Sequence, residues 1–264
     1  MAHTQRPARS AFADRLSAFD EAPTFGAGES VLVPTPRSLR AALESIEASP
    51  LVYAAGVVEQ PARSESVVRW PNGERGGVPN ALLIPLGKAS QAEPSSVILA
   101  SGGKGAGLAL ALVVRGGEPE SPLVRVLEGA QAASEEPEPA QRVAANTFRV
   151  LRADGEVGAP YACRRAGRVE RLLLLRRSTE LVLGFAFAGQ VDVIDAAHCR
   201  ALPLRPNVKP GDRVNVPLAS VFVRANVEQV EAELGRIEVL ADFAGQRRAL
   251  AFGFGSVATQ LPPP

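Results

Sequence analysis

The sequence predicts an all-β chain made of four small β-barrels in tandem, with a short N-terminal tail and one inserted helix. Three observations lead there. Gly and Pro together number 46 of 264 residues and are spread through the chain, which suits many short strands joined by turns rather than long helices. The apolar residues fall into short runs at close spacing, the signature of a small barrel. Parts of the chain also echo one another, and such internal similarity decides the architecture before any local reading does.

The echo is clearest at two openings, "GAGESVLVP" at 26–34 and "KPGDRVNVP" at 209–217. Each reads Gly, acid, one residue, then Val-x-Val-Pro. Gly28 or Gly211 makes the turn, and Val31 and Val33, or Val214 and Val216, alternate inward. Three endings also match: 66–86, 181–204 and 237–262. Each carries a β run and an aromatic (Trp70, Phe187, Phe243). A turn follows (Asn72-Gly73, Gly189-Gln190, Gly245-Gln246), then a shorter run and a Leu beside a Pro. A second apolar run lies between opening and ending: 51–60, 168–175 and 220–230. The unit is about five strands: opening strand, variable loop, long strand, strand, hairpin turn, strand, one-turn helix and exit.

The elements follow in order. Residues 1–24 form a tail, partly disordered or a short helix, with Phe12, Leu16 and Phe19 at helical spacing. Unit one spans 25–88. Its first loop carries a helix at 36–48, with Ser38 as cap and Leu39, Ala42, Leu43 and Ile46 on one face. Unit two spans 89–153 and is the degenerate copy, with Val97 and Leu99 in the inward places of its opening strand. Its acidic, Pro-rich stretch at 129–142 reads as a solvated loop. Units three and four span 154–206 and 207–264.

A Gly-acid-x-Val-x-Val opening, a long bent second strand, an aromatic before a hairpin turn and a closing single-turn helix resemble the Tudor, agenet and KOW type of SH3-like barrel. The C-terminal half also resembles uncharacterised bacterial proteins built from such repeats. The resemblance implies binding rather than catalysis. Tudor modules hold methylated Lys or Arg in an aromatic cage, where ring faces attract a desolvated cation. KOW-like modules bind RNA or protein. On that basis the ligand-binding candidates are Tyr53 and Trp70 in unit one, and Tyr161 and Phe187 in unit three. The alternative reading of these rings is core filling.

Other chemistries are weaker. "GGKGAG" at 102–107 suggests a phosphate loop, but Lys104 is followed by Gly105 and not by Ser or Thr, and the run behind it takes the place of a strand. His198 and Cys199 beside Asp195 lack the partner groups a Cys nucleophile needs. Cys163 and Cys199 read as small buried hydrophobes, with a disulfide left open. No CxxC pair exists, and the two Cys and two His are wrongly spaced for a four-ligand zinc site, so no metal or cofactor is expected. Net charge is +1, so no global field draws the chain to nucleic acid. A local basic face at Arg164, Arg165, Arg168 and Arg171 is the nucleic-acid alternative. Its other reading is a solvated face in a chain with 26 Arg and 3 Lys, a ratio typical of GC-rich coding. No apolar run reaches membrane-spanning length. The expectation is therefore a cytoplasmic, non-enzymatic scaffold that binds protein or peptide.

Overall fold

The computed structural model of the protein describes residues 11–19, 24–44, 49–86, 92–101, 107–127, 129–186, 188–218, 221–243 and 245–263. Its strands form four antiparallel sheets of five strands each. Sheet one holds β1 (Ser30–Pro34), β2 (Tyr53–Gln60), β3 (Glu65–Arg69), β4 (Arg75–Pro79) and β5 (Ile84–Pro85), in the order β4-β3-β2-β1-β5. Sheet two holds β6 (Val97–Ser101), β7 (Leu108–Val113) and β8 (Leu123–Val126). The next strand, β9 (Ala130–Ala132), leaves for sheet four. β10 (Gln141–Arg142) and β11 (Phe148–Leu151) then complete the order β10-β8-β7-β6-β11.

Sheet three holds β12 (Pro160–Arg165), β13 (Arg168–Arg177), β14 (Leu181–Ala186), β15 (Val191–Asp195) and β16 (Cys199–Ala201), in the order β15-β14-β13-β12-β16. Sheet four holds β17 (Arg213–Leu218), β18 (Val221–Glu231), β19 (Arg236–Phe243) and β20 (Gln246–Gly253), with β9 added outside β20. Sheets one to three therefore share one plan: a four-strand meander whose fifth strand returns to pair with the first. In sheet four the return shrinks to a single bridge between Asn215 and Ala258. The all-β expectation holds, and the five-strand unit is met in sheets one to three. No sheet is closed, however, because its two outermost strands do not pair with each other.

One local device opens every sheet. A residue with positive φ precedes strand one: Gly28 (83°), Ser95 (72°), Gly158 (93°) and Gly211 (91°). Its amide donates to a carbonyl on the second strand, that of Val58, Val113, Leu174 or Val227, at 2.7–2.8 Å. The amide of that same residue returns a 2.9 Å bond to the next carbonyl of the turn, that of Glu29, Ser96, Ala159 or Asp212. Glycine suits three of these positions because a left-handed backbone clashes with a Cβ. The acid of the motif has its own task. Glu29 Oε2 accepts the Gly26 amide and Asp212 Oδ2 accepts the Lys209 amide, both at 2.9 Å. In sheets one, three and four a β-bulge follows directly, between Val58 and Gln60, Leu174 and Arg176, and Val227 and Gln229. Bulges bend and twist a strand, which makes the second strand curve over the sheet's own core.

This equivalence corrects the register of sheet two. Counting from Ser95 as from Gly28, the inward pair is Ile98 and Ala100, and these pack with Ala111, Val113, Val124 and Phe148. Val97 and Leu99, expected inward, instead join the cluster shared between sheets. A slip of one residue exchanges the two faces of a strand. Because β6 and β7 are buried on both faces, both readings look equally apolar in sequence.

The insertions also differ from expectation. At the N-terminus, α1 (Ala11–Leu16) and a 3-10 turn (Ser17–Phe19) bury Leu16 and Phe19 in the main core. The internal helix α2 spans Pro36–Glu44, with Pro at its first position, where a missing N–H costs nothing. Ile46 lies outside the described residues. Ser38 does not cap this helix. Its hydroxyl accepts from the Val52 amide (3.1 Å) and ties the helix to the chain entering β2. The acidic segment at 129–142 is not simply a loop, since β9 and β10 pair with two different sheets.

Candidate functional site

The candidate rings lie inside. Tyr53 is buried, its hydroxyl donates to the Leu82 carbonyl (3.0 Å), and its ring meets Phe185 edge-on at 5.2 Å. Burial raises its pKa further above the usual phenol value, although the Arg176 charge opposes this. Trp70 is buried and donates through Nε1 to the Pro34 carbonyl (3.0 Å). Tyr161 is 1% exposed and donates to the Gly155 carbonyl at 3.3 Å, while Arg177 donates to its hydroxyl at 3.1 Å. Phe187 lies outside the described residues.

Tyr53, Trp70 and Tyr161 therefore act as core residues, each with its polar atom partnered within the chain, and none presents a ring face to solvent. Nor do the two units place their rings equivalently. Tyr53 is on a second strand and Tyr161 on a first. In the hairpin turns, Gly73 donates to the Trp70 carbonyl as Gly189 donates to that of Ala186. Ala186 thus holds the position of Trp70.

The four arginines of sheet three divide between two faces. Arg164 donates to the carbonyls of Pro263 (2.9 Å) and Pro262 (3.1 Å), and Arg171 donates to that of Gly255 (2.9 Å). Both hold the C-terminal segment of the fourth unit against sheet three, beside the apolar contact of Ala162, Val169, Leu202 and Ala258. Arg165 pairs with Asp192 at 2.6 Å, and Arg168 is exposed at the hairpin turn. These four side chains do not form a single free basic face.

The cysteines are joined. Cys163 and Cys199 face each other across β12 and β16 and form a disulfide, with Cα atoms 4.1 Å apart. This corrects the reading of both as buried thiols, and it leaves no thiolate beside His198 to act as a nucleophile. Asp195 has a structural part, as its carboxylate accepts the Ala197 amide at 2.8 Å and caps the 3-10 turn Ala196–His198. Residues 102–106 lie outside the described residues. The strands on either side, β6 and β7, pair antiparallel with Ser101 opposite Leu108, whereas a phosphate loop needs a helix behind it.

Two further arginines, Arg176 and Arg236, organise the molecule. Arg176, 5% exposed, projects from the bulge of β13. It donates to the Asn80 carbonyl (2.8 Å), and also to that of Leu83, around the 3-10 turn Asn80–Leu82 of sheet one. Burial pulls its pKa down to about 10, and the nearby Arg149 charge adds to this. It therefore stays charged at neutral pH. That turn is rigid because Asn80 is itself fully partnered, accepting from Ser66 (2.7 Å) and donating to Ala62 (2.8 Å).

Arg236 stands at the start of β19. Glu231 holds its Nε at 2.6 Å and Glu238 accepts from Nη2. Burial alone would lower its pKa, but the two carboxylates outweigh that and raise it. The same guanidinium donates to the carbonyls of Glu135 (3.0 Å) and Ala133 (3.1 Å), directly after β9. The Glu-Arg-Glu spacing around a turn was the only sequence signal for this clamp.

No protein-family model matches the chain, and no curated protein is similar to it. Among the described residues no helix is long and apolar enough to cross a membrane.

Proposed function

We propose that the chain is a non-enzymatic interaction scaffold that binds protein or peptide through four SH3-like units. The order 4-3-2-1-5 in sheets one to three supports the SH3-like reading of each unit. So does the 3-10 turn before the fifth strand of sheets one and three, and the Tudor, agenet and KOW resemblance goes with it. The observation that carries the function is the mounting of the sheets on one another. Arg176 grips the closing turn of sheet one, Arg164 and Arg171 grip the C-terminal segment, and β9 crosses from the second unit to the fourth. Units held this way present their outer edges and loops in a fixed relation, as a multi-site binder requires. Affinity capture with the full chain from a bacterial lysate is expected to return a specific partner. Failure to do so, together with turnover on a small substrate, would overturn the reading.

The nucleic-acid alternative keeps Arg168 as its free charge. A salt-titrated mobility shift on RNA and DNA tests it. Binding that Arg168→Glu leaves unchanged removes the hairpin as the site.

A further inference from the structure

We propose that the outer edge of β20 is an acceptor for an extended acidic peptide, which adds antiparallel to β20 in the place of the chain's own β9. This rests on the scaffold reading and names one of its binding sites.

The seat is built, and its present occupant is short. β9 contributes three residues, Ala130-Gln131-Ala132, opposite Phe252, Ala251 and Leu250, and the Ala133 amide then donates to the Ala249 carbonyl at 3.2 Å. There the segment turns away, with the Glu135 amide bonding back to the Ala132 carbonyl at 3.0 Å. Among the described residues, the edge of β20 from Gln246 to Arg248 carries no partner strand. An unpaired edge is a template for another strand.

The clamp beside this edge reads main chain rather than side chains. Arg236, held by Glu231 and Glu238, donates only to backbone carbonyls of the segment. Both acceptors lie where the segment turns off, so a peptide that stays extended past Ala249 exchanges these two bonds for ladder bonds to β20. Gly253 completes the approach, because a Cβ there would meet the Leu127 carbonyl at 2.2 Å.

Charge selects the occupant. A strand running antiparallel to β20 past Ala249 next passes Arg248 and Arg247, both exposed. Only Asp242 opposes them directly, across from Arg247. The chain's own Glu135 and Glu136 follow β9 but turn off before this stretch. A peptide with small residues at the β9 positions and acids opposite Arg247 and Gln246, free of the chain that leads β9 back to β10, stays extended and gains ladder bonds and charge pairing that β9 forgoes. Being tethered, β9 competes at an effective concentration in the millimolar range, so the intact chain binds such a peptide weakly.

The test uses the full chain and the labelled peptide GAQAASEE, read by fluorescence anisotropy. Gln131 lies two residues from Ala133, so by ladder alternation its amide faces β20, and Gln131→Pro removes that donor. Gln131→Pro is expected to bind the peptide at least about tenfold more tightly than the unaltered chain. The peptide GAQAASKK is expected to lose most of that gain. Equal affinity of the two chains, or of the two peptides, overturns the proposal. If Gln131→Pro no longer unfolds cooperatively, hydrogen exchange on the unaltered chain decides: the Gln131 and Ala133 amides must lose protection when 1 mM peptide, about the tether's effective concentration, is added. Unchanged protection overturns the proposal, as does concentration-dependent dimerisation that the peptide does not inhibit, which would assign the edge to a second copy. Failure here with a captured partner still in hand removes this edge and leaves the scaffold reading standing.

Discussion

Ser95 is the one non-glycine among the four opening turns, and at φ 72° it holds a conformation that costs an L-residue about 1–2 kcal/mol. Ser95→Gly is expected to stabilise the chain by about 0.5–1 kcal/mol, because part of that relief is spent on a more flexible unfolded state. Urea denaturation measures it, and a loss of stability would contradict the equivalence of the turns. Arg176 makes the opposite case. Arg176→Ala removes the guanidinium from the Leu83 carbonyl and from the Asn80 carbonyl, which keeps only the Leu83 amide, and opens a cavity, for an expected cost of about 2–4 kcal/mol. Arg176→Met keeps the volume and is expected to cost less, since it also removes a buried charge that has no carboxylate partner among its hydrogen bonds. Glu156 gives the chain an acid-sensitive joint. Burial alone would raise its pKa, but the Ala153 and Arg152 amides and the Arg149 guanidinium outweigh it and hold the carboxyl below its usual value. Its stabilisation is therefore present above the ordinary carboxylate pKa and is lost as pH falls through the lowered one. Glu156→Gln is expected to flatten the acid limb of a stability-against-pH curve.

At the scale of elements, the disulfide joins the first and fifth strands of sheet three across 36 residues of chain. Opening it with Cys163→Ser and Cys199→Ser is expected to cost about 2–4 kcal/mol. Thiol titration in denaturant checks the starting state and should find no free thiol. Alkylation of the protein directly from cells tests the cytoplasmic expectation, because a reducing compartment would return two blocked thiols. What the sequence made legible follows the same scale. Gly28 and Gly211, each with its acid, marked their opening turns because the backbone there admits few residues. Ser95 hid the opening turn of the second unit, and the inward register of β6 was lost with it. Tyr53, Trp70 and Tyr161 invited a cage because ring identity is visible in sequence, whereas the direction of a ring is set by the other sheets. β9 carried no strand signal, since three small or polar residues have none. Only a partner some 120 residues away makes them a strand.

At the scale of the whole molecule, burial on both faces of β1, β6, β7 and β12 means that no sheet owns its core alone. The four units are expected to unfold as one. The single tryptophan, Trp70, sits in sheet one, so its fluorescence reports that sheet while far-UV circular dichroism reports all four. Coincident urea transitions by the two probes are expected, and separated ones would show the units to be thermodynamically independent. The strand that crosses from the second unit to the fourth also sets a timetable for synthesis. Ala130 leaves the ribosome long before Phe252, its partner, exists. At roughly 5–20 residues per second the interval is on the order of 6–24 s. Throughout that time β9 has no strand to join, whereas β10 already has β8. The last strand made is the one that completes the molecule, so a chain stalled shortly before its C-terminus would lack both the partner of β9 and part of the core that the sheets share.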